Sequence, residues 1–148
     1  MNPFILSPKE RLADWKGFRE SLKALPERDQ LAAVARYWAL APLLSHAHYT
    51  DVEKVPTPWE MISDGDWCRN SVAIGMEFTL RLAGWKAERL ELQMIRDYDL
   101  SEAIMVLIID GQSVLNYNYG EIADYPKTRH DITDSWVFSG KLYTRSRG

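Results

Sequence analysis

The sequence holds one cysteine, Cys68, so no intrachain disulfide can form, and the chain has the thiol usage of a reducing compartment. Its charge is nearly balanced, 18 Lys and Arg against 21 Asp and Glu for a formal net charge of -3. The basic residues are spread along the chain without forming a stripe that could follow a phosphate backbone, which argues against nucleic acid as a partner. No apolar run approaches the ~20 residues of a membrane span, so a membrane partner is not expected either. The opening Met-Asn-Pro-Phe-Ile-Leu-Ser-Pro-Lys-Glu lacks the basic start and apolar stretch of a secretory signal. The expectation is a soluble, unexported protein, cytoplasmic or held inside a larger assembly. Histidine is scarce, with only His46, His48 and His130. Internal repeats, low-complexity tracts and linkers are absent, so residues 1–148 read as a single domain, long enough to bury about two thirds of its unfolded surface.

Against these absences stands the stretch from Asp64 to Gly84, a polar turn leading straight into an apolar helix with the cysteine at the junction. Val72, Met76, Thr79, Leu80 and Ala83 share one face, and Ile74, Phe78 and Leu82 another, so this helix is expected to be buried nearly all round. Gly84 suits the positive φ of a helix C-cap. A cysteine at a helix N-terminus meets free N–H groups and the positive end of the helix dipole, which is how a thiolate nucleophile is presented. The same position equally accommodates a small buried apolar residue.

The remaining chain divides by period. Ser7-Pro8-Lys9-Glu10 is a capping box with proline at the first helical position. Leu12, Trp15, Phe18, Leu22 and Leu25 then form an apolar stripe up to Pro26. A second amphipathic helix is expected over Glu27 to Ala41, with Leu31, Val34, Ala35 and Trp38 inward and Pro42 closing it. Pro42 to Pro58 reads as a long connection carrying His46, His48, Tyr49 and Asp51. Thr57-Pro58-Trp59-Glu60 repeats the capping box ahead of a short helix. After Gly84 the period becomes two. Leu90, Leu92 and Met94 alternate with polar residues, Ala103 to Ile109 is a continuous apolar strand, and Asp110-Gly111 is a hairpin turn leading to a strand over Ser113 to Tyr119. Gly120 to Ser135 reads as a polar connection, and Trp136 to Tyr143 as the last strand of one antiparallel sheet. Helices first and strands second give an α+β class, with N-terminal helices and a central helix packed on the sheet.

In this order the features resemble the bacterial transglutaminase-like cysteine proteinases, a branch of the papain-like and transglutaminase-like superfamily. The resemblance runs from about Leu31 to Tyr125, leaving residues 1–26 as an N-terminal helical extension on a core of residues 27–148. Val55-Pro56-Thr57-Pro58-Trp59-Glu60 stands for the family's Trp and Pro segment, and Thr79-Leu80-Arg81-Leu82-Ala83-Gly84 for the end of its central helix. Glu102-Ala103-Ile104 stands where the family carries its catalytic His-Ala-Val, and Val114-Leu115-Asn116 where it carries the third triad member. The resemblance thus implies a papain-like fold with Cys68, Glu102 and Asn116 at the positions of a degenerate triad.

The departures fall on the chemistry. Counted back from Thr79-Leu80-Arg81, the family's cysteine falls on Arg69, so Cys68 matches only across a one-residue insertion. A thiol protease needs an imidazole to take the thiol proton and return it to the leaving amine. Glu102 in that place disfavours a thiolate by like-charge repulsion. Asn116 has no imidazole to orient there. His46 and His48 with Asp51 offer two imidazoles and one carboxylate, short of a four-ligand metal set, and Asp64 with Asp66 is a poor calcium site. No metal or cofactor is assigned. The implied protein is catalytically inactive, a structural or protein-binding module of a phage virion or similar assembly with protein neighbours as partners. The alternatives are an active thiol peptidase or transferase using Cys68 as nucleophile with another histidine as base, and a regulatory module that binds a folded client.

Overall fold

The computed structural model describes residues 2–43, 57–65, 67–97, 103–125, 130–139 and 142–147. Four helices precede the sheet: α1 (Pro8–Leu22), α2 (Glu27–Trp38), α3 (Pro58–Asp64) and α4 (Arg69–Leu82). Both proline-led starts form as the sequence dictates. Ser7 Oγ accepts the Glu10 amide, and Thr57 and Glu60 complete a reciprocal capping box. A 3-10 turn, Pro3–Ile5, precedes α1.

The strands are β1 (Leu90–Asp97), β2 (Ala103–Ile109), β3 (Ser113–Leu115), β4 (Ala123–Asp124), β5 (His130–Ser139) and β6 (Leu142–Arg147). They make one six-stranded sheet in the order β4-β3-β2-β1-β5-β6, antiparallel at every pairing. The α+β class with helices on an antiparallel sheet is therefore observed. At the β2–β3 hairpin Asp110 and Gly111 both take positive φ, 53° and 71°, the conformation that makes Asp-Gly a hairpin signal.

Two expectations at the end of the chain need correction. Trp136 to Tyr143 is not one strand: β5 and β6 meet there as a hairpin, with Phe138 opposite Tyr143. Gly120 to Ser135 is not a plain connection, because it contributes β4 and the first half of β5. His130 opens β5, its backbone opposite Asp97 of β1. The strand expected over Ser113 to Tyr119 stops at Leu115.

The main core lies between the helices and one face of the sheet, where α4 is buried at every position from Asn70 to Glu77 and again at Thr79 and Leu80. Among the helices, α2 packs most closely on it. A Cβ on Gly75 would sit 2.5 Å from the Trp38 ring, so only glycine allows that approach. Thr79 Oγ1 accepts the indole N–H groups of Trp15 at 3.0 Å and Trp38 at 2.9 Å, and donates to the Gly75 carbonyl at 2.6 Å. Two large aromatics are thereby buried without an unpaired polar tip. Trp15 is thus a core residue of α1. On the other face of the sheet Ile95, Ile104, Val106, Ile108 and Val114 form a second cluster under Tyr117 and Tyr125, which is why β2 is apolar at consecutive positions.

Candidate site at the N-terminus of the central helix

Cys68 is the N-cap of α4, in extended conformation at φ -121° and ψ 169°. Its polar groups are taken up by the first turn of its own helix. The Cys68 amide donates to Ser71 Oγ at 2.9 Å, Ser71 Oγ donates to the Cys68 carbonyl at 3.0 Å, and the Ser71 amide donates to Cys68 Sγ at 3.4 Å. This is a capping box with sulfur in place of the usual hydroxyl. The residue is 3% exposed.

Asn116 comes to the same place from the end of β3. It is buried and takes a left-handed conformation at φ 70°, which asparagine tolerates better than most residues. Its Nδ2 donates to the Arg69 carbonyl at 2.8 Å and to the Met105 carbonyl at 2.9 Å, so the side chain ties the first residue of α4 to β2. Asn70 answers from the helix, its Oδ1 accepting the Met105 amide at 2.9 Å. Arg69 closes the loop, donating through Nη2 to the carbonyls of Asn116 and Tyr117 at 3.2 Å each and lying 5.4 Å from the Tyr119 ring centroid. Burial holds the Tyr119 phenol above its ordinary pKa, with the Arg69 charge opposing.

Cys68 and Asn116, two of the three expected triad positions, therefore converge on the N-terminal turn of α4. Glu102 lies outside the described residues, immediately before β2. His46, His48 and Asp51 lie outside them too. Sequence reasoning missed Asn70 and Ser71. Ser71 was findable, since a serine three residues after an N-cap is the spacing of a capping box once cysteine is allowed as the cap. Asn70 carried no local signal, because its partner is 35 residues away.

At the far end of α4 a second polar group is buried. Glu77 receives Arg81 through two bonds of 2.9 and 2.8 Å and the Tyr143 hydroxyl at 2.8 Å. Burial, then the Glu77 charge, pushes the Tyr143 phenol well above its usual range. Arg81 is stacked among Phe78, Phe138 and Tyr143.

Helices packed on one face of a six-stranded antiparallel sheet give a transglutaminase-like fold. Solved structures carry the same fold, among them two of one bacterial protein. Legionella pneumophila LapG matches with a TM-score of 0.76 at 21% identity over 94% of this chain and 80% of that one. Its calcium-bound form matches with a TM-score of 0.77 at 21% identity over 97% and 83%. No protein-family model and no curated protein matches the sequence. At this identity the likeness establishes the fold. As for calcium, Asp64 is exposed, Asp66 lies outside the described residues, and among the described residues no three of His, Cys, Asp and Glu cluster. The described residues thus offer no fit to the ion.

Proposed function

We propose that this chain is a transglutaminase-like protease fold put to structural or protein-binding use, with Cys68 serving as a helix cap and not as a nucleophile. The observation that carries the reading is the engagement of Cys68 by Ser71. Thiol catalysis needs a base at the sulfur and N–H donors aimed at the oxyanion that forms on the substrate. Here the Cys68 amide points to Ser71 Oγ, the sulfur accepts the Ser71 amide, and the thiol is buried. Asn116 supports the same reading, since both protons of its amide nitrogen are spent on main-chain carbonyls, as a structural tie requires. Glu102 at the family's histidine position supports it from the sequence. In this reading the partners are protein neighbours within an assembly, a phage virion being one setting, and not nucleic acid or a membrane.

The competing reading is an active thiol peptidase or transferase using Cys68, favoured by the placement of the cysteine at the N-terminus of a buried helix. Two measurements separate them. Iodoacetamide should alkylate Cys68 in the folded chain about a hundredfold more slowly than in the denaturant-unfolded chain, as expected for a buried thiol. Denatured casein should be left intact, by the native chain and by Cys68→Ala alike. Casein cleavage that disappears in Cys68→Ala, in a chain that stays folded, overturns the proposal.

A further inference from the structure

A cleft of about 440 Å³ opens at the C-terminal end of α4, away from Cys68, where the turn joining α1 to α2 meets the turn that leaves α4. Lys23, Glu27, Gln30, Trp85, Lys86 and Arg89 line it. Its volume lies in the range of small-molecule sites, ~300–1,000 Å³. Three cations and one carboxylate face this cleft in a chain whose formal net charge is -3, so the positive excess is local.

The carboxylate is answered within the protein. Glu27 accepts Arg89 at 2.7 and 2.9 Å, and Arg89 also bonds Asp110 at 2.9 and 2.7 Å. Two ammonium groups are left. Lys23, the C-cap of α1, pairs with Glu20 at 3.2 Å, but both side chains are more than half exposed, and such a contact is readily exchanged. Lys86, which precedes the 3-10 turn Ala87–Arg89, has no ion-pair or hydrogen-bond partner among the described residues. The buried Gln30 adds a donor. Its Oε1 accepts the Trp85 indole N–H at 2.7 Å and its Nε2 gives one proton to the Leu25 carbonyl at 3.0 Å, which leaves the second Nε2 proton without an acceptor among the described residues. An amide proton left unpaired in a buried side chain is costly, and an oxygen of a bound anion relieves that cost.

We propose that this cleft binds a ligand carrying two carboxylates, received by the ammonium groups of Lys23 and Lys86 and the spare amide proton of Gln30. Arg89 serves the site indirectly, since by holding Glu27 it keeps that carboxylate from opposing the ligand. The two carboxylates belong either to a free di- or tricarboxylic acid or to neighbouring acidic residues of a protein, and the chemistry of recognition is the same in both.

The experiment titrates citrate, and separately a blocked dipeptide of two glutamates, into the full-length chain at low salt, with the blocked glutamine dipeptide and sulfate as controls. The signal followed is the Trp85 indole N–H, whose acceptor is Gln30. Saturable shifts with citrate or the glutamate dipeptide support the site, and the tighter of the two tells whether the carboxylates come from a free acid or from a protein. Lys23→Gln and Lys86→Gln should each weaken binding about fivefold, the scale of one exposed ion pair. Lys9→Gln, exposed on α1 and outside the cleft, should leave it unchanged. A chain that binds neither carboxylate probe, or that binds sulfate or the glutamine dipeptide equally well, overturns the site. So does an affinity that falls as far in Lys9→Gln as in Lys86→Gln, which would reflect net charge alone. None of these readouts involves Cys68, so failure here leaves the non-catalytic reading as it stands.

Discussion

The two halves of α4 bury polar groups for different ends. At its N-terminal turn Asn70, Cys68 and Asn116 bond mainly to backbone, so these side chains act as rivets between helix, strand and loop. In the second half, Thr79 and Glu77 receive other side chains, the indoles of Trp15 and Trp38 and the Arg81 and Tyr143 pair. Backbone rivets fix where the chain runs, while the buried Asn116 Oδ1 has no hydrogen-bond partner among the described residues. Side-chain hubs fix how the core packs. In the proposed non-catalytic role, the first half of the helix serves the fold.

The sharpest way to strain the hub is Thr79→Val, which keeps the shape and removes the acceptor for two buried indoles. Each buried donor left unpaired costs ~1–3 kcal/mol, so the variant should lose about 2–6 kcal/mol in denaturant unfolding. Thr79→Ser should recover most of that. Equal loss in both variants would show that packing of the methyl, and not the hydroxyl, matters here.

The rivets are tested by Asn116→Asp. A carboxylate there faces the carbonyl oxygens of Arg69 and Met105, with no N–H to give either. The variant should be destabilised by about 1–3 kcal/mol, read from the urea midpoint. Unchanged stability would mean that the Asn116 amide is not a tie and would reopen its assignment as an orienting group. The Cys68 cap is a smaller matter. Cys68→Ser should be neutral or stabilising, because a hydroxyl caps better than a thiol, whereas Cys68→Ala should cost ~0.5–2 kcal/mol.

The helices and the first three strands were legible in the sequence because their signals are local: proline-led capping boxes, a change of period at Gly84, an Asp-Gly turn. β5 was not. His130, Asp131, Thr133 and Asp134 make its first half polar, and what holds it as a strand is pairing with β1, more than thirty positions earlier in the chain. Such pairing leaves no mark on local composition. The turn between β5 and β6 was missed for a simpler reason, since Ser139-Gly140 is a turn signal inside an otherwise aromatic run. At the site, the resemblance placed Cys68 and Asn116 together, and the structure bonds Asn116 to the carbonyl of Arg69, the residue after Cys68. Their roles were not legible, because the same cysteine position serves a nucleophile or a cap.

The last and smallest effect concerns the surface that flanks the C-terminal end of α4. Arg89 stacks 4.3 Å from the Trp85 ring and bonds Asp110 through Nε and Nη2 and Glu27 through Nη1 and Nη2 at 2.7–2.9 Å. Its hydrogen bonds hold the carboxyls of Asp110 and Glu27 below their ordinary pKa values. A carboxyl with a depressed folded pKa binds its proton more readily in the unfolded chain. Its contribution is present above the unfolded value and is lost as the pH falls through the folded one. Arg89→Met, which keeps much of the stack on Trp85, should therefore flatten the fall in thermal midpoint on acidification below about pH 5, while moving the neutral-pH midpoint little because both carboxyls are solvent-exposed. The comparison with Asn116→Asp is then direct. A charge placed against buried carbonyls should cost stability at neutral pH, whereas removing an exposed charge from two carboxylates should show mainly in the acid slope. An Arg89→Met chain with a native acid slope would mean that these surface bonds contribute nothing to folding.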